Sequence, residues 1–300
     1  LTATDAKPIF VLGADDPEMA RIKTVVGLAR KLGLVSGYIQ GWSKGSPVHP
    51  GNAYAVDQCP GLPGDVPLVL VECGFAESAP KECHERVIQR VDHHNPGDPG
   101  FDCAPEAFWE GSSIGQVVNW INSDLAEPQA MGPLFAEAVA PHMRDLYLAA
   151  AADHCLKAAY EECCPGISSE EIETWRVQTR AKHQNQPEET VRMRIREARA
   201  TIMQALRNPE QVVEIAGGPI VRLPGTINEL PEASMQLGVP VEYRMEDARS
   251  KRIKVGLIGG EPAQIEEWMA RFARDYGLED VYGAPVRGFA GGYQPMKKEA

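Results

Sequence analysis

The seven cysteines include no CxxC pair. Zinc sites of the usual spacing and secreted disulfide scaffolds both depend on ordered cysteine pairs, so neither is expected. The count is odd and Cys163 and Cys164 are adjacent; a reducing cytoplasm is the expected location. No apolar run approaches the roughly 18 residues that a membrane-spanning helix requires. The opening "LTATDAKP" lacks a basic stretch followed by an apolar one, so it is read as no signal peptide, and the missing initiator Met is attributed to processing or trimming. Positive charge is scarce. Lys and Arg number 30 against 42 Asp and Glu, a formal net charge of -12. That balance favours solubility and works against long-range attraction of nucleic acid. A small anion held by a local metal or basic patch stays within reach.

What is present is ordinary in bulk and uneven in pattern. Apolar residues make up 43% and charged residues 24% of 300 residues, which suits one large or two modest soluble domains. "PIFVLGADD" reads as a strand, Ile9 to Leu12, entering a polar loop. Met19, Ile22, Val25, Val26, Ala29 and Leu32 then repeat at helical spacing, and Gly33 closes that helix. "LVSGYIQG", "VPLVLVECG" and "ERVIQRVDHH" give further strands, and residues 41–64 are rich in Gly, Pro and Ser and read as loop. "GSSIGQVVNWINSDL" offers a Ser cap before another helix. Residues 134–180 look helical, with "LYLAAAADHCLKAAY" at their centre. "HQNQPEET" reads as a linker, a charged helix follows, and short strands dominate from about residue 212.

Apolar strands alternating with helices predict an α/β core with a parallel sheet. The expected architecture is a parallel-sheet domain over residues 1–185, a linker and connecting helix over 186–211, and a smaller mixed α/β domain over 212–300. Ligands of such sheets bind beyond the carboxyl ends of the strands. Polar residues fall at those places: Asp15, Asp16 and Glu18, then Glu72, then Asp92, His93 and His94 in the stretch "QRVDHHNPGDPGF". Asp153 sits within a small, apolar helical segment, where an acid is costly unless paired or bound to a cation. Each has a plainer use. The first aspartates suit helix capping, Glu72 suits solvent, the triplet suits a hydrogen-bonded turn, and Asp153 can pair with Lys157. Taken together, carboxylates with imidazoles suit Mn²⁺, Mg²⁺, Zn²⁺ or Fe²⁺ at a hydrolytic site.

"VDHH" after a strand, followed by "GSSIGQV", resembles the DHH phosphoesterase superfamily. "LGADDPEMARIKTVV" resembles that family's first motif, with Asp16 and Glu18 where its two aspartates lie. "VLVECG" resembles the second, with Glu72 at the acidic place, and "LAAAADHCL" the fourth, at Asp153. The order holds across roughly residues 9–160. The resemblance implies metal ligation by Asp16, Glu18, Glu72, His93 and Asp153. It also implies that His94 approaches a phosphate, with Asp92 orienting a histidine. The C-terminal part resembles the family's DHHA1 domain, whose glycine-rich substrate loop is similar in outline to "YGAPVRGFAGGY". There Arg287 would pair with a phosphate. Leu12 stands where the family has a metal-binding histidine, and Glu18 and Glu72 replace aspartates, which lengthens their reach by a methylene.

The expectation that follows is a divalent-metal-dependent phosphoesterase, Mn²⁺ being the first choice of cofactor. It would act on a nucleotide, dinucleotide or phosphorylated metabolite, with no long nucleic acid, no membrane, and homodimer formation open. Two alternatives stand beside it. One is another hydrolase or lyase on the same fold, using Cys73 or the His154–Cys155 pair. The other is a binding protein without turnover.

Overall fold

A computed structural model describes residues 6–247 and 251–295. Its contacts divide the chain into two compact units between His154 and Cys155.

The first unit is built on a parallel sheet. Its strands are β1 (Ile9–Leu12), β2 (Gly37–Gln40), β5 (Leu68–Val71) and β6 (Val87–Val91), in the order β2-β1-β5-β6. A short ladder of β3 (Trp42–Ser43) and β4 (Ser46–Pro47) lies in the glycine- and proline-rich loop. Strands β1 and β5 are central and every one of their residues is buried. This is why they read as unbroken apolar runs rather than alternations. Strand β6 is an edge and alternates instead, with Ile88 53% exposed.

Helix α1 (Pro17–Lys31) follows β1. Asp16 caps it through Oδ1 and the Met19 amide at 2.7 Å, Pro17 fills the first position, and Gly33 beyond the end has φ 73°. Helix α2 (Lys81–Glu85) precedes β6. After β6 come α3 (Phe108–Gly111), α4 (Ser113–Trp120), α5 (Gly132–Val139) and α6 (Met143–His154). The predicted serine cap is Ser112, whose hydroxyl accepts from the Gly115 amide. Arg21 of α1 makes a paired contact with Asp145 of α6 at 3.0 and 3.1 Å. Tyr147 of α6 stacks on Trp109 of α3 at 4.5 Å. These contacts hold the helices that carry the acidic groups.

The segment predicted as one continuous helix around Asp153 is interrupted. Helix α6 stops at His154, Cys155 takes φ −148° and ψ 49°, and α7 (Leu156–Tyr160) starts afresh. The division between units falls at this break, well before residue 185. The helical stretch beyond it belongs with the C-terminal strands for a packing reason. Helices α8 (Ser169–Gln184) and α9 (Glu188–Leu206) share a core of Val177, Ala181, Val191 and Ile195. Ala198, Ile202 and Ala205 of α9 pack on β8 (Gly218–Arg222) and α10 (Leu230–Leu237). The stretch from 188 to 206, expected to connect two domains, is therefore a core helix of the second unit.

The second unit's sheet has the order β11-β12-β10-β9-β8-β7 and is antiparallel except where β8 meets β9. Its remaining strands are β7 (Val212–Ile215), β9 (Val241–Asp247), β10 (Arg252–Ile258), β11 (Glu279–Ala284) and β12 (Phe289–Pro295). Ile220 and Val221 belong to different cores. Successive residues of a strand face opposite ways, so helices cover both faces. Helices α9 and α10 lie on one face, and α11 (Pro262–Glu267), α12 (Ala273–Asp275) and Trp268 on the other. Arg244, Arg249, Lys251, Arg252 and Lys254 make residues 244–254 basic; there Arg252 pairs with Asp280 at 2.6 Å and Lys254 lies over the Tyr282 ring, and Arg249 is outside the described residues.

Glu232 of α10 is fully buried. It accepts from Arg176 at 2.9 Å and from the Tyr160 hydroxyl at 2.8 Å, with Arg180 3.5 Å away. Burial acts to raise its pKa, but Arg176, then Arg180 and Tyr160, outweigh burial and hold the carboxyl below its ordinary value. A depressed folded pKa stabilises above the unfolded value, and that contribution disappears as the pH falls through the folded one. Glu232→Ala leaves Arg176 without its carboxylate and is expected to cost about 3 kcal/mol in urea unfolding of the full chain at neutral pH. The difference from the parent should begin to shrink as the pH falls below the unfolded value of about 4.3, and the charge contribution should be gone only below the depressed folded value, where the carboxylate is protonated in both states. A pH-independent difference would show that packing, not charge, is what the substitution removes.

Candidate metal centre

The carboxyl ends of β1, β5 and β6 meet, as the parallel arrangement requires. Gly13 follows β1, and its amide donates to the Val71 carbonyl at 2.9 Å. A Cβ on Gly13 would lie 2.2 Å from the Glu72 carbonyl oxygen, so only glycine permits this approach. The Glu72 amide donates to the Val91 carbonyl, which sets Glu72 beside the residues that follow β6. Glu72 itself has φ 50°, an uncommon value for a residue with a side chain. That turn keeps the Glu72 carboxylate inside, 6% exposed.

Asp92, 4% exposed, organises the triplet. Its Oδ1 accepts from the His93 amide at 2.8 Å, the His94 amide at 3.1 Å and the His94 Nδ1 at 2.8 Å. Its Oδ2 accepts from the Tyr54 hydroxyl at 2.9 Å. Gln116 of α4 clamps the Asp92 backbone from both sides, accepting from the amide and donating to the carbonyl. Burial acts to raise Asp92, but the hydrogen bonds from His94, Tyr54 and the His93 amide prevail and hold it below its ordinary value. The hydrogen-bonded turn and the organised histidines are thus one arrangement, and the histidine that Asp92 orients is His94.

His93 has no exposure. Its Nε2 lies 2.9 Å from Asp153 Oδ2 and 3.6 Å from Glu72 Oε1. Glu18, in the first turn of α1 and 3% exposed, is the third carboxylate of the group. Its Oε1 accepts from the Ile114 amide in the first turn of α4 at 3.0 Å. One donor atom from each of Glu18, Glu72, His93 and Asp153 lies within 4.8 Å of every other, and Glu72, His93 and His94 form a second, overlapping group. Glu18 Oε2, Glu72 Oε1 and His93 Nε2 are buried with no hydrogen-bond partner among the described residues. Ionised carboxylates only accept, so Glu18 and Asp153 can bond to each other only by sharing a proton. Oxygen and imidazole donors converging on one buried place suit a divalent cation. These residues fit one.

Asp16 stands apart from the four-residue group. Its Oδ1 is spent on the helix cap, so the capping alternative describes that oxygen, but its charge still belongs to the site. Burial, then Glu72 and Asp153, push Asp16 up to about 7 against the pull of the Met19 amide. Burial first, then Asp153 and Glu72, push Glu18 well above its ordinary range. Asp153, at the carboxyl end of α6, lies against His93. Lys157, its suggested partner in the plainer reading, binds Glu161 and Glu261 at 3.0 and 2.5 Å. Asp15 pairs with Lys23 at 2.7 Å. Leu12 is a wholly buried core residue at the end of β1. Arg287 lies in the turn between β11 and β12 of the second unit, its guanidinium over the Phe289 ring at 5.4 Å.

The cysteine alternatives lose their chemistry here. Cys73 is buried, its thiol donates to the Val11 carbonyl at 3.4 Å, and burial pushes its pKa far up. A thiol held protonated is no nucleophile. The Cys155 sulfur lies 2.8 Å from that of Cys164. Both ring nitrogens of His154 are engaged, Nδ1 with His93 Nδ1 and Nε2 with the Cys103 carbonyl, each at 3.0 Å. Sequence reasoning missed Tyr54, Gln116 and the Cys103 carbonyl, because no local pattern ties them to the triplet.

No family model and no curated protein matches the chain. Among solved structures it is similar to the pGpG-specific phosphodiesterase PggH from Vibrio cholerae, at 14% identity over 97% of this chain and 94% of that one, with a TM-score of 0.35. The chemistry of the site rests on its own geometry. No helix among the described residues is long and apolar enough to cross a membrane.

The raised carboxyls give a pH-dependent expectation. Without a cation, Asp16 and Glu18 cost stability as the pH rises from the unfolded carboxylate value of about 4 through about 7 for Asp16. Over that window the folded state surrenders protons that it holds more tightly than the unfolded chain does. A cation replaces those protons. Added Mn²⁺ is therefore expected to raise the melting temperature more at about pH 8 than at about pH 5.5. Equal rises at both pH values would mean that the cation binds elsewhere.

Proposed function

We propose that the chain is a divalent-metal-dependent phosphoester hydrolase acting on a small or short substrate such as a nucleotide, a dinucleotide or a phosphorylated metabolite. The observation that carries this is the buried convergence of three carboxylates on one imidazole: Glu18, Glu72 and Asp153 around His93 Nε2, with Glu18 Oε2 and Glu72 Oε1 lacking a hydrogen-bond donor among the described residues. Glu18, Glu72, His93 and Asp153 would hold the cation, Mn²⁺ being favoured, with Asp16 and His94 at its margin. Such a cation supplies Lewis acidity at phosphoryl oxygens and makes water more acidic.

The chain's own residues supply position and charge. Asp92 holds the His94 ring through Nδ1, and that imidazole would steady a phosphate. The Ile114 amide fixes the Glu18 carboxylate. Arg287, in the second unit, would pair bidentately with a phosphate. The formal charge of -12 supports a small substrate over a long nucleic acid, which needs an extended basic track.

His93→Ala is expected to abolish both retention of divalent metal, read by elemental analysis after dialysis, and turnover of a panel of small phosphoesters. Arg287→Ala should leave the metal in place and raise KM by about ten- to a hundredfold, the 1.5–3 kcal/mol typical of a charge-assisted hydrogen bond. A metal-loaded chain inert across the panel would overturn the hydrolase reading, and undiminished metal in His93→Ala would overturn the assignment of the centre.

A further inference from the structure

The second unit gathers two arginines around one tyrosine. Tyr276 follows α12, and the guanidinium carbons of Arg244 and Arg222 lie 5.2 and 5.7 Å from the centre of its ring. Partners built into the fold hold both. The Tyr276 hydroxyl donates to the Glu242 carboxylate at 3.1 Å and accepts from Arg222 at 2.5 Å. Glu242 is 4% exposed and also accepts from the Trp268 indole at 2.9 Å. Gln294 donates to the Tyr276 carbonyl and accepts from Arg244 at 3.4 Å.

Charge does not balance in this group. Glu242 lies 3.4 Å from Arg222 Nε, so its one carboxylate answers one guanidinium. Arg244 has no carboxylate at ion-pair distance among the described residues, and its hydrogen-bond partner is a neutral amide. Hydrogen-bonding capacity is also left over. A guanidinium carries five N–H groups, and among the described residues each of these side chains makes a single hydrogen bond. A cavity of about 350 Å³ opens where both arginines, Glu242 and Tyr276 meet, with Gln211 and Leu223 completing its wall. That volume is at the small end of the roughly 300–1,000 Å³ typical of ligand pockets. One surplus positive charge, several free donors and a small cavity call for a small anion. Two planar forks favour phosphate over carboxylate, because a carboxylate has only two oxygens to share between them.

The place is separate from the glycine-rich turn. Strand β8 runs parallel to β9, and β9 antiparallel to β10. The end of β8, where Arg222 stands, therefore lies with the start of β10. The turn that carries Arg287 precedes Phe289, which pairs with Ile258 at the end of β10. Arg222 and Arg287 thus belong to opposite ends of the sheet.

We propose that Arg222 and Arg244 form a binding site for a small molecule bearing a phosphate group, in the cavity beside Tyr276. None of these residues belongs to the metal centre, and the site does not depend on the hydrolase reading. A free phosphate ion shares the recognised chemistry, so the experiment separates the two.

The test is titration calorimetry of the full chain, stripped of metal with EDTA and then dialysed, so that turnover and bound cations contribute nothing. The probes are glycerol 3-phosphate, inorganic phosphate and succinate. The parent should bind glycerol 3-phosphate at least as tightly as phosphate, and succinate more weakly. Arg244→Gln removes the unanswered charge and should raise Kd about ten- to a hundredfold. Arg244→Lys keeps the charge but loses the fork and should fall between. Arg287→Ala should bind as the parent does. No binding by the parent overturns the proposal, as does binding that survives Arg244→Gln or disappears in Arg287→Ala. Phosphate bound with the ester refused makes a free ion the ligand and overturns the small-molecule claim, and succinate bound equally well overturns the preference for phosphate. Circular dichroism checks that the variants fold. Should Arg244→Gln fail to do so, NMR of the ¹⁵N-arginine-labelled parent decides, with signals assigned through Arg222→Lys and Arg244→Lys. Adding glycerol 3-phosphate should shift the Nε–H signals of both arginines, and two unmoved signals overturn the site.

Discussion

A buried cluster of carboxylates around one imidazole sets the terms for the first unit. Glu18 Oε2, Glu72 Oε1 and His93 Nε2 lie together out of water, with the Asp153 carboxylate against them. Such a group repels itself, so the fold has to hold it in place. It does so through rigid elements. Gly13 lets two strand ends approach, the Glu72 backbone takes a left-handed turn, and the first turn of α4 pins the Glu18 carboxylate. Each device brings an acceptor in against its electrostatic preference. The raised carboxyls of Asp16 and Glu18 express the same frustration. Strain and unpaired polarity of this kind concentrate at functional sites.

The two histidines of the triplet are held by opposite means. His94 is two-thirds buried and leans on a charge, since Asp92 Oδ1 meets its ring nitrogen and both neighbouring amides. His93 is wholly buried and leans on a second ring, His154, which in turn lies against a backbone carbonyl. Adjacent residues of one type thereby acquire different properties from what stands behind them.

The second unit manages buried charge in the more usual manner, by pairing. Glu232 meets Arg176, Arg180 and Tyr160 inside the unit, and Glu242 meets the Trp268 indole, the Tyr276 hydroxyl and Arg222. Neither acid is left facing another acid. The contrast marks the first unit's cluster as something other than a habit of this chain.

The strand ends, the α1 and α4 caps and the parallel sheet were legible in the sequence because they depend on local chemistry. Apolar runs, an aspartate before Pro17 and a serine ahead of Ile114 each act within a few residues. The same locality placed Glu72 and His93 at strand ends, and it flagged Asp153 as an acid in apolar company. What the sequence by itself determined was therefore which residues carry the chemistry and where along each element they sit. The tertiary structure alone decided how they are divided. It spent one Asp16 oxygen on a cap, joined Glu18 to Glu72, His93 and Asp153, gave Asp92 to His94 and His154 to His93, and moved α8 and α9 into the second unit's core. Those outcomes depend on the break at Cys155 and on which helices share a hydrophobic face. They arise from packing between residues far apart in the chain, and no local pattern encodes such distances.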